Sequence, residues 1–116
     1  MYPNQESPQN KSRIVVHPPD DLPYKVVAGY LDNSRKGLQS LQDAIDRLDY
    51  DFVAVYSHRM KGSGGAYGFP QLTEIAASME DAARARNGDA MRNGAAALDG
   101  HLKSIELVEA REGFRM

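Results

Sequence analysis

The chain contains no cysteine. That excludes a disulfide framework and any thiolate-held metal. Proline is confined: five of the six lie at positions 3, 8, 18, 19 and 23, and only Pro70 lies beyond them. Neither sign of charge is in excess, with 14 basic against 16 acidic residues and a net charge of -2. A nucleic-acid surface would carry a basic surplus, so no nucleic acid is expected as partner. No apolar run approaches the length of a membrane span. Residues 1–10 are polar and lack the apolar centre of a secretory leader. A cytoplasmic location is the expectation that remains.

With 116 residues, of which 41% are hydrophobic, the chain has the size of one domain with a single core. The early prolines, with the surrounding Asn, Gln and Ser, predict a flexible tail or linker over residues 1–19. The apolar patch Ile14-Val15-Val16 interrupts it, and the sequence gives it no role. From Tyr24 onward the apolar residues recur at three- and four-residue steps. Val27, Leu31, Ser34, Leu38, Leu41, Ile45 and Leu48 mark a first helix, which Asp32-Asn33-Ser34 and Gly37 are expected to bend or break. Asp49 or Asp51 can cap a second helix, with Phe52, Tyr56, Met60, Ser63 and Tyr67 on its inner side. Gly68 suits a C-terminal cap and Pro70 a first helical turn. Leu72, Ile75, Met79 and Ala82 or Ala83 line a third helix. Asn87-Gly88-Asp89 is read as a turn with Asp89 as cap. Met91, Ala95, Leu98, Leu102 and Ile105 line the last. No segment alternates with period two, so no sheet is expected. Short turns between helices require antiparallel neighbours. The fold class is therefore all-α, an antiparallel up-down four-helix bundle over residues 20–112, and a monomer is favoured because the bundle uses most of the apolar pattern.

The second helix carries an unusual face. Glycine in a helix interior costs about 1 kcal/mol relative to alanine, yet Gly62, Gly64 and Gly65 stand together. With His58 at zero on a wheel of about 100° per residue, Lys61 falls near -60°, Gly62 near +40° and Gly65 near -20°. The apolar set lies between about 120° and 200°, and Gly64, near 240°, suits the close packing of a neighbouring helix. The imidazole thus points away from the core among small neighbours, where another backbone can approach closely. A lone histidine is most often a solvated side chain, and a lone lysine an ordinary surface residue. Their co-location one turn apart, with glycines between, fits a phosphoryl acceptor. A neutral imidazole is a nucleophile near pH 7, and an ammonium serves phosphate as a point charge. A metal site is not expected: His17 lies in the tail, His101 on the last helix, and no HxxxH or HExxH spacing occurs. His101 is read as a solvated residue. Ser63 is placed toward the core, which argues against a serine nucleophile.

The run His58-Arg59-Met60-Lys61-Gly62-Ser63-Gly64-Gly65-Ala66-Tyr67-Gly68 resembles the signature of histidine-containing phosphotransfer (HPt) domains, His-x-x-Lys-Gly-x-x-x-x-x-Gly. Tyr30 to Gly37-Leu38 and on to Asp43-Ala44 resembles the family's first long helix, and Leu72 to Ala83 its third. The resemblance implies a relay of phosphoryl groups between aspartates of response-regulator receiver domains in two-component signalling, fed by a hybrid histidine kinase. By position, His58 would be phosphorylated, Lys61 would stabilise the phosphate and Gly62 would keep the histidine accessible. Glu80 stands where some members have a glutamine, and Arg84 where some carry a basic residue. The chain has no nucleotide loop and no carboxylates arranged for Mg2+, so no cofactor is expected on it. The metal would come with the receiver, and neither ATP binding nor autokinase activity is expected. Two other readings stay open on sequence alone. One is a helical binding module that docks on a receiver or kinase and inhibits it without being phosphorylated. The other, less favoured because 116 residues leave no room for an ATPase domain, is the phosphoacceptor part of a histidine kinase.

Overall fold

The computed structural model describes residues 13–109. In chain order it contains β1 (Ile14–Val16), α1 (Tyr24–Asp46), α2 (Tyr50–Ser63), a 3-10 turn (Gly65–Tyr67), α3 (Pro70–Arg84), α4 (Gly88–Ser104) and β2 (Ile105–Leu107). Four helices thus share one core, as the periodicity predicts. Its centre is built from Val27 and Leu41 of α1, Val53 of α2, Leu72 and Met79 of α3, and Leu98 of α4, each at most 1% exposed.

The local signals act where they were expected, apart from one cap and two corrections of substance. The Phe52 N–H donates to the Asp49 carboxylate at 3.2 Å, so Asp49 and not Asp51 caps α2. Gly68 adopts a φ of 97°, the left-handed conformation that glycine tolerates, and Pro70 opens α3. At the third connection the cap is Asn87, which accepts from the Ala90 N–H at 3.1 Å; Asp89 lies one step inside the first turn. The first correction of substance is that α1 runs unbroken through Asp32-Asn33-Ser34 and Gly37. Ser34 is buried and donates to the Tyr30 carbonyl at 2.9 Å, so its hydroxyl is satisfied within the helix. At Gly37 the Tyr56 hydroxyl takes the space where a Cβ would sit, only 2.7 Å away. The weak helix formers therefore serve packing.

The second correction is a sheet where none was expected. β1 pairs in parallel with β2, in the register Ile14 to Ile105, Val15 to Glu106 and Val16 to Leu107. Three-residue strands are too short to display alternation. Ile14 and Val16 are half-buried while Val15 is exposed, as the pleat requires. An ion pair at 3.0 Å between Arg13 and Glu106 lies beside the pair on the solvent side. Of the tail expected over 1–19, residues 1–12 lie outside the described residues, and Ile14–Val16 form this strand. Arg35 of α1 closes the same end of the molecule. Its guanidinium donates to the Leu102 carbonyl at 2.7 and 3.1 Å and to the Ile105 carbonyl at 2.9 Å. Those are carbonyls that the end of α4 leaves without helical partners.

Candidate functional site

α2 packs most extensively on α3, and this contact decides where His58 points. The buried residues of α2 and the turn after it are Val53, Ser57, Met60 and Gly64. They recur at steps of four, three and four, which is one helical face. The wheel puts the inner side on Phe52, Tyr56, Met60, Ser63 and Tyr67; of these Met60 is buried, Tyr56 and Tyr67 are partly buried against the core, and Phe52 is 39% exposed. The reason is size. A Cβ on Gly64 would stand 3.0 Å from both the Leu72 Cβ and the Thr73 amide, so the missing side chain lets α3 come close. Ser57 and Gly64 draw the narrow side of α2 inward. Tyr67 stacks on Tyr30 at 4.2 Å between ring centroids instead of entering the core. Ser63 is half-buried, and its hydroxyl lies 2.8 Å from that of Tyr30.

His58 emerges on the opposite side with 64% of its side chain exposed. Gly62 has nothing within 4 Å of where a Cβ would be, and Gly65 only the Thr73 hydroxyl at 3.6 Å. The end of α2 is pinned from α3: Thr73 Oγ1 donates to the Lys61 carbonyl at 3.0 Å and accepts from the Gly65 N–H at 2.9 Å. Thr73 was not singled out in the sequence. Its signal is positional, because Thr73, Glu80 and Arg84 recur at seven and four residues and so share one side of α3.

Glu80 is the centre of the arrangement. Its side chain is only 5% exposed and meets three nitrogen groups. Lys61 Nζ lies 2.8 Å from Oε1. On Oε2 lie His58 Nδ1 at 3.1 Å and the Arg84 guanidinium, whose Nε is at 3.1 Å. The Lys61 ammonium and the Arg84 guanidinium, assisted by His58, hold the Glu80 carboxyl down at about 2 against the opposing effect of burial. It is therefore a carboxylate at any physiological pH and only accepts hydrogen bonds. The contact to Nδ1 calls for the ring proton there, and in the neutral imidazole that leaves the lone pair on Nε2. Glu80, which stands where some members of the resembled family have a glutamine, makes this contact as an acceptor only.

Four of the six predicted site residues, His58, Lys61, Glu80 and Arg84, thus form one ionic cluster across α2 and α3. Gly62 and Gly65 border it and add no side chain to it. The other described histidines are apart. His17 lies between β1 and α1. His101 was read as solvated but is half-buried on α4, and burial pushes its imidazole pKa down. Among the described residues no group of three or more His, Asp or Glu could hold a metal ion, and no helix is long and apolar enough to cross a membrane.

A helical module that displays one imidazole, its far nitrogen bare and its near nitrogen tied to a carboxylate, is the class of protein defined here. The chain belongs to the Hpt domain family, which matches residues 25–109 and so spans all four helices. This places it in two-component phosphorelay signalling, where such domains meet response regulators and histidine kinases. Comparison with curated protein sequences and with solved structures gave no significant match.

Proposed function

We propose that the chain relays phosphoryl groups between receiver aspartates through a phosphohistidine at His58, formed on Nε2. The observation that carries this reading is the Nδ1 to Glu80 contact at 3.1 Å beside a ring that is mostly exposed. In the first step the Nε2 lone pair attacks the phosphorus of an aspartyl phosphate. The bond from phosphorus to the aspartate oxygen breaks, and the carboxylate leaves with its electron pair. Nδ1 keeps its proton against Glu80, so the ring that now bears the phosphoryl group is cationic. In the second step another receiver's aspartate attacks the phosphorus, and Nε2 recovers its electron pair. Phosphoryl transfer depends chiefly on position and charge neutralisation. Lys61, one turn from His58, supplies the cation. The receiver brings the metal ion, and this chain brings no nucleotide site.

Support for docking comes from the surface beside the ring. A groove of about 310 Å3 between α1 and α2 is lined by Phe52, Val55, Tyr56, Arg59 and Met60. Val55, one turn before His58, is 52% exposed. An apolar flank next to a bare nucleophile suits a protein partner that must settle closely before transfer. The antiparallel up-down course of the helices, a monomeric state and a cytoplasmic location complete the reading.

The test uses the full chain and a phosphorylated receiver carrying radioactive phosphorus. Wild type is expected to take up acid-labile, base-stable label, and His58→Gln none. Equal labelling of the two would refute relay through His58. Binding by both without labelling of either would make the chain an inhibitory docking module.

A further inference from the structure

We infer that Arg84 is the reserve counter-charge of the site: it holds Glu80 in place when Lys61 leaves that carboxylate for the phosphoryl group on His58. The inference rests on His58 being the phosphoacceptor and concerns what happens to the ionic cluster once it is loaded.

Lys61 has two conflicting tasks. Its ammonium lies 2.8 Å from Glu80 Oε1, yet it is the cation one turn from the nitrogen that receives the phosphoryl group. Turning toward the phosphoryl oxygens means loosening its hold on a carboxylate whose side chain is 5% exposed. A buried charge stripped of its partner is strongly unfavourable, so Lys61 can turn only if Glu80 keeps another cation. The two oxygens divide the work. Lys61 holds Oε1, while Arg84 and His58 Nδ1 both bind Oε2. Lys61 can therefore depart without disturbing the oxygen that orients the imidazole.

The chemistry of the two cations fits this division. Arg84 grips Oε2 with both Nε and Nη2 from one turn further along α3, two charge-assisted hydrogen bonds to the one oxygen that also faces Nδ1. Lys61 is a point charge on a flexible stem, with 40% of its side chain exposed. The charges also balance. With a neutral imidazole, the cluster of Glu80, Lys61 and Arg84 carries one net positive charge. A phosphoryl dianion on a ring that keeps its Nδ1 proton brings the loaded cluster to neutrality. Without Arg84 the loaded cluster would be left negative, with Glu80 and the phosphoryl group competing for one ammonium. Arg84 is thus a positioning residue that acts through Glu80 and Lys61.

The test loads the full chain with phosphoramidate. The Nε2 lone pair attacks its phosphorus, the phosphorus–nitrogen bond breaks and ammonia leaves. Two quantities are read by NMR on protein with 15N-labelled histidine. One is the tautomer of resting His58; the other is the half-life of its phosphohistidine after the donor is removed. Arg84→Gln is expected to leave the resting tautomer unchanged, because Lys61 still holds Glu80, and to shorten the half-life about fivefold, the size of one moderate ionic coupling. Lys61→Ala is expected to shorten it similarly. The double variant is expected to show about the same loss as either single, because residues that act as a unit are not additive. Arg84→Lys is expected to recover most of the lifetime. A wild-type half-life in Arg84→Gln would overturn the inference, as would losses that multiply in the double variant. A changed resting tautomer in Arg84→Gln would also overturn it, since Arg84 would then only be seating Glu80 in the unloaded site. Failure of His58 to be loaded in any of these proteins would sink the phosphoacceptor reading, and the inference with it.

Discussion

Two glycines two residues apart in the same segment are expected to respond to alanine with opposite signs. Gly62 lies in α2, exposed, with nothing within 4 Å of a added Cβ. Alanine there should stabilise the fold by about 0.5–1 kcal/mol, the usual gain from removing glycine's backbone freedom in a helix. Gly64 is buried, and its Cβ would stand 3.0 Å from Leu72 Cβ, the Thr73 amide and Thr73 Oγ1. One of those three atoms is backbone, and Thr73 is already tied to Lys61 and Gly65 by hydrogen bonds. The contact cannot be relieved by turning a free side chain. Overpacking of this kind typically costs 1–3 kcal/mol, so Gly64→Ala should lose about 1–2 kcal/mol even after the helical gain is counted. Urea denaturation of the two variants measures the difference directly. Gly62→Leu adds the decisive contrast: the fold should stand while phosphoryl transfer from a receiver falls at least tenfold, because the side chain fills the approach to His58. Destabilisation by Gly62→Ala would refute the claim that position 62 faces open space. Undiminished transfer by Gly62→Leu would refute the claim that the open space serves a partner.

Lys61→Ala should leave the domain folded, because Arg84 still pairs the buried Glu80 carboxylate, while transfer slows; an unchanged transfer rate would remove Lys61 from the mechanism. Glu80 predicts an acid-dependent difference. Its carboxyl is depressed from 4.5 to about 2 in the fold, so its contribution to stability is complete above about pH 4.5 and is lost as the pH falls toward 2. The stability gap between wild type and Glu80→Gln should therefore narrow over that window in denaturation curves taken at successive pH values. A gap that does not vary with pH would mean the ionic cluster does not form in solution. Asn87→Ala should cost about 1 kcal/mol through loss of the cap on the Ala90 amide, and Asp89→Ala clearly less; the reverse order in thermal melts would restore Asp89 as the cap.

The sequence made the framework legible because α3 and α4 bury the apolar residues that periodicity selects: Leu72 and Met79 in one, Met91, Ala95, Leu98 and Leu102 in the other. The outward direction of His58 was legible because both the apolar side that the wheel selects and the buried face of Val53, Ser57, Met60 and Gly64 lie away from it. Of the true inner face of α2, Gly64 was legible, since a glycine near 240° on the wheel suits close packing of a neighbouring helix; Ser57 was not, because it carries no apolar weight and yet is buried. The strand pair escaped because parallel pairing joins Ile14 to Ile105 across the whole domain, and each strand is too short to announce itself. Within the site, Lys61 could be placed from its spacing to His58 alone. The joint grip on Glu80 could not, since it depends on how α3 is turned against α2. A glutamate in the middle of an apolar stripe is nonetheless a detectable signal, because carboxylates are seldom buried unless paired.

The account rests on a division of labour within one imidazole, with Nδ1 holding its proton against Glu80 and Nε2 accepting phosphorus. Long-range 1H–15N correlation spectra of the loaded, 15N-histidine-labelled chain read both nitrogens at once. Phosphorus on Nε2 of His58, with a proton retained on Nδ1, is the predicted result. Phosphorus on Nδ1, or on a histidine other than His58, would contradict it.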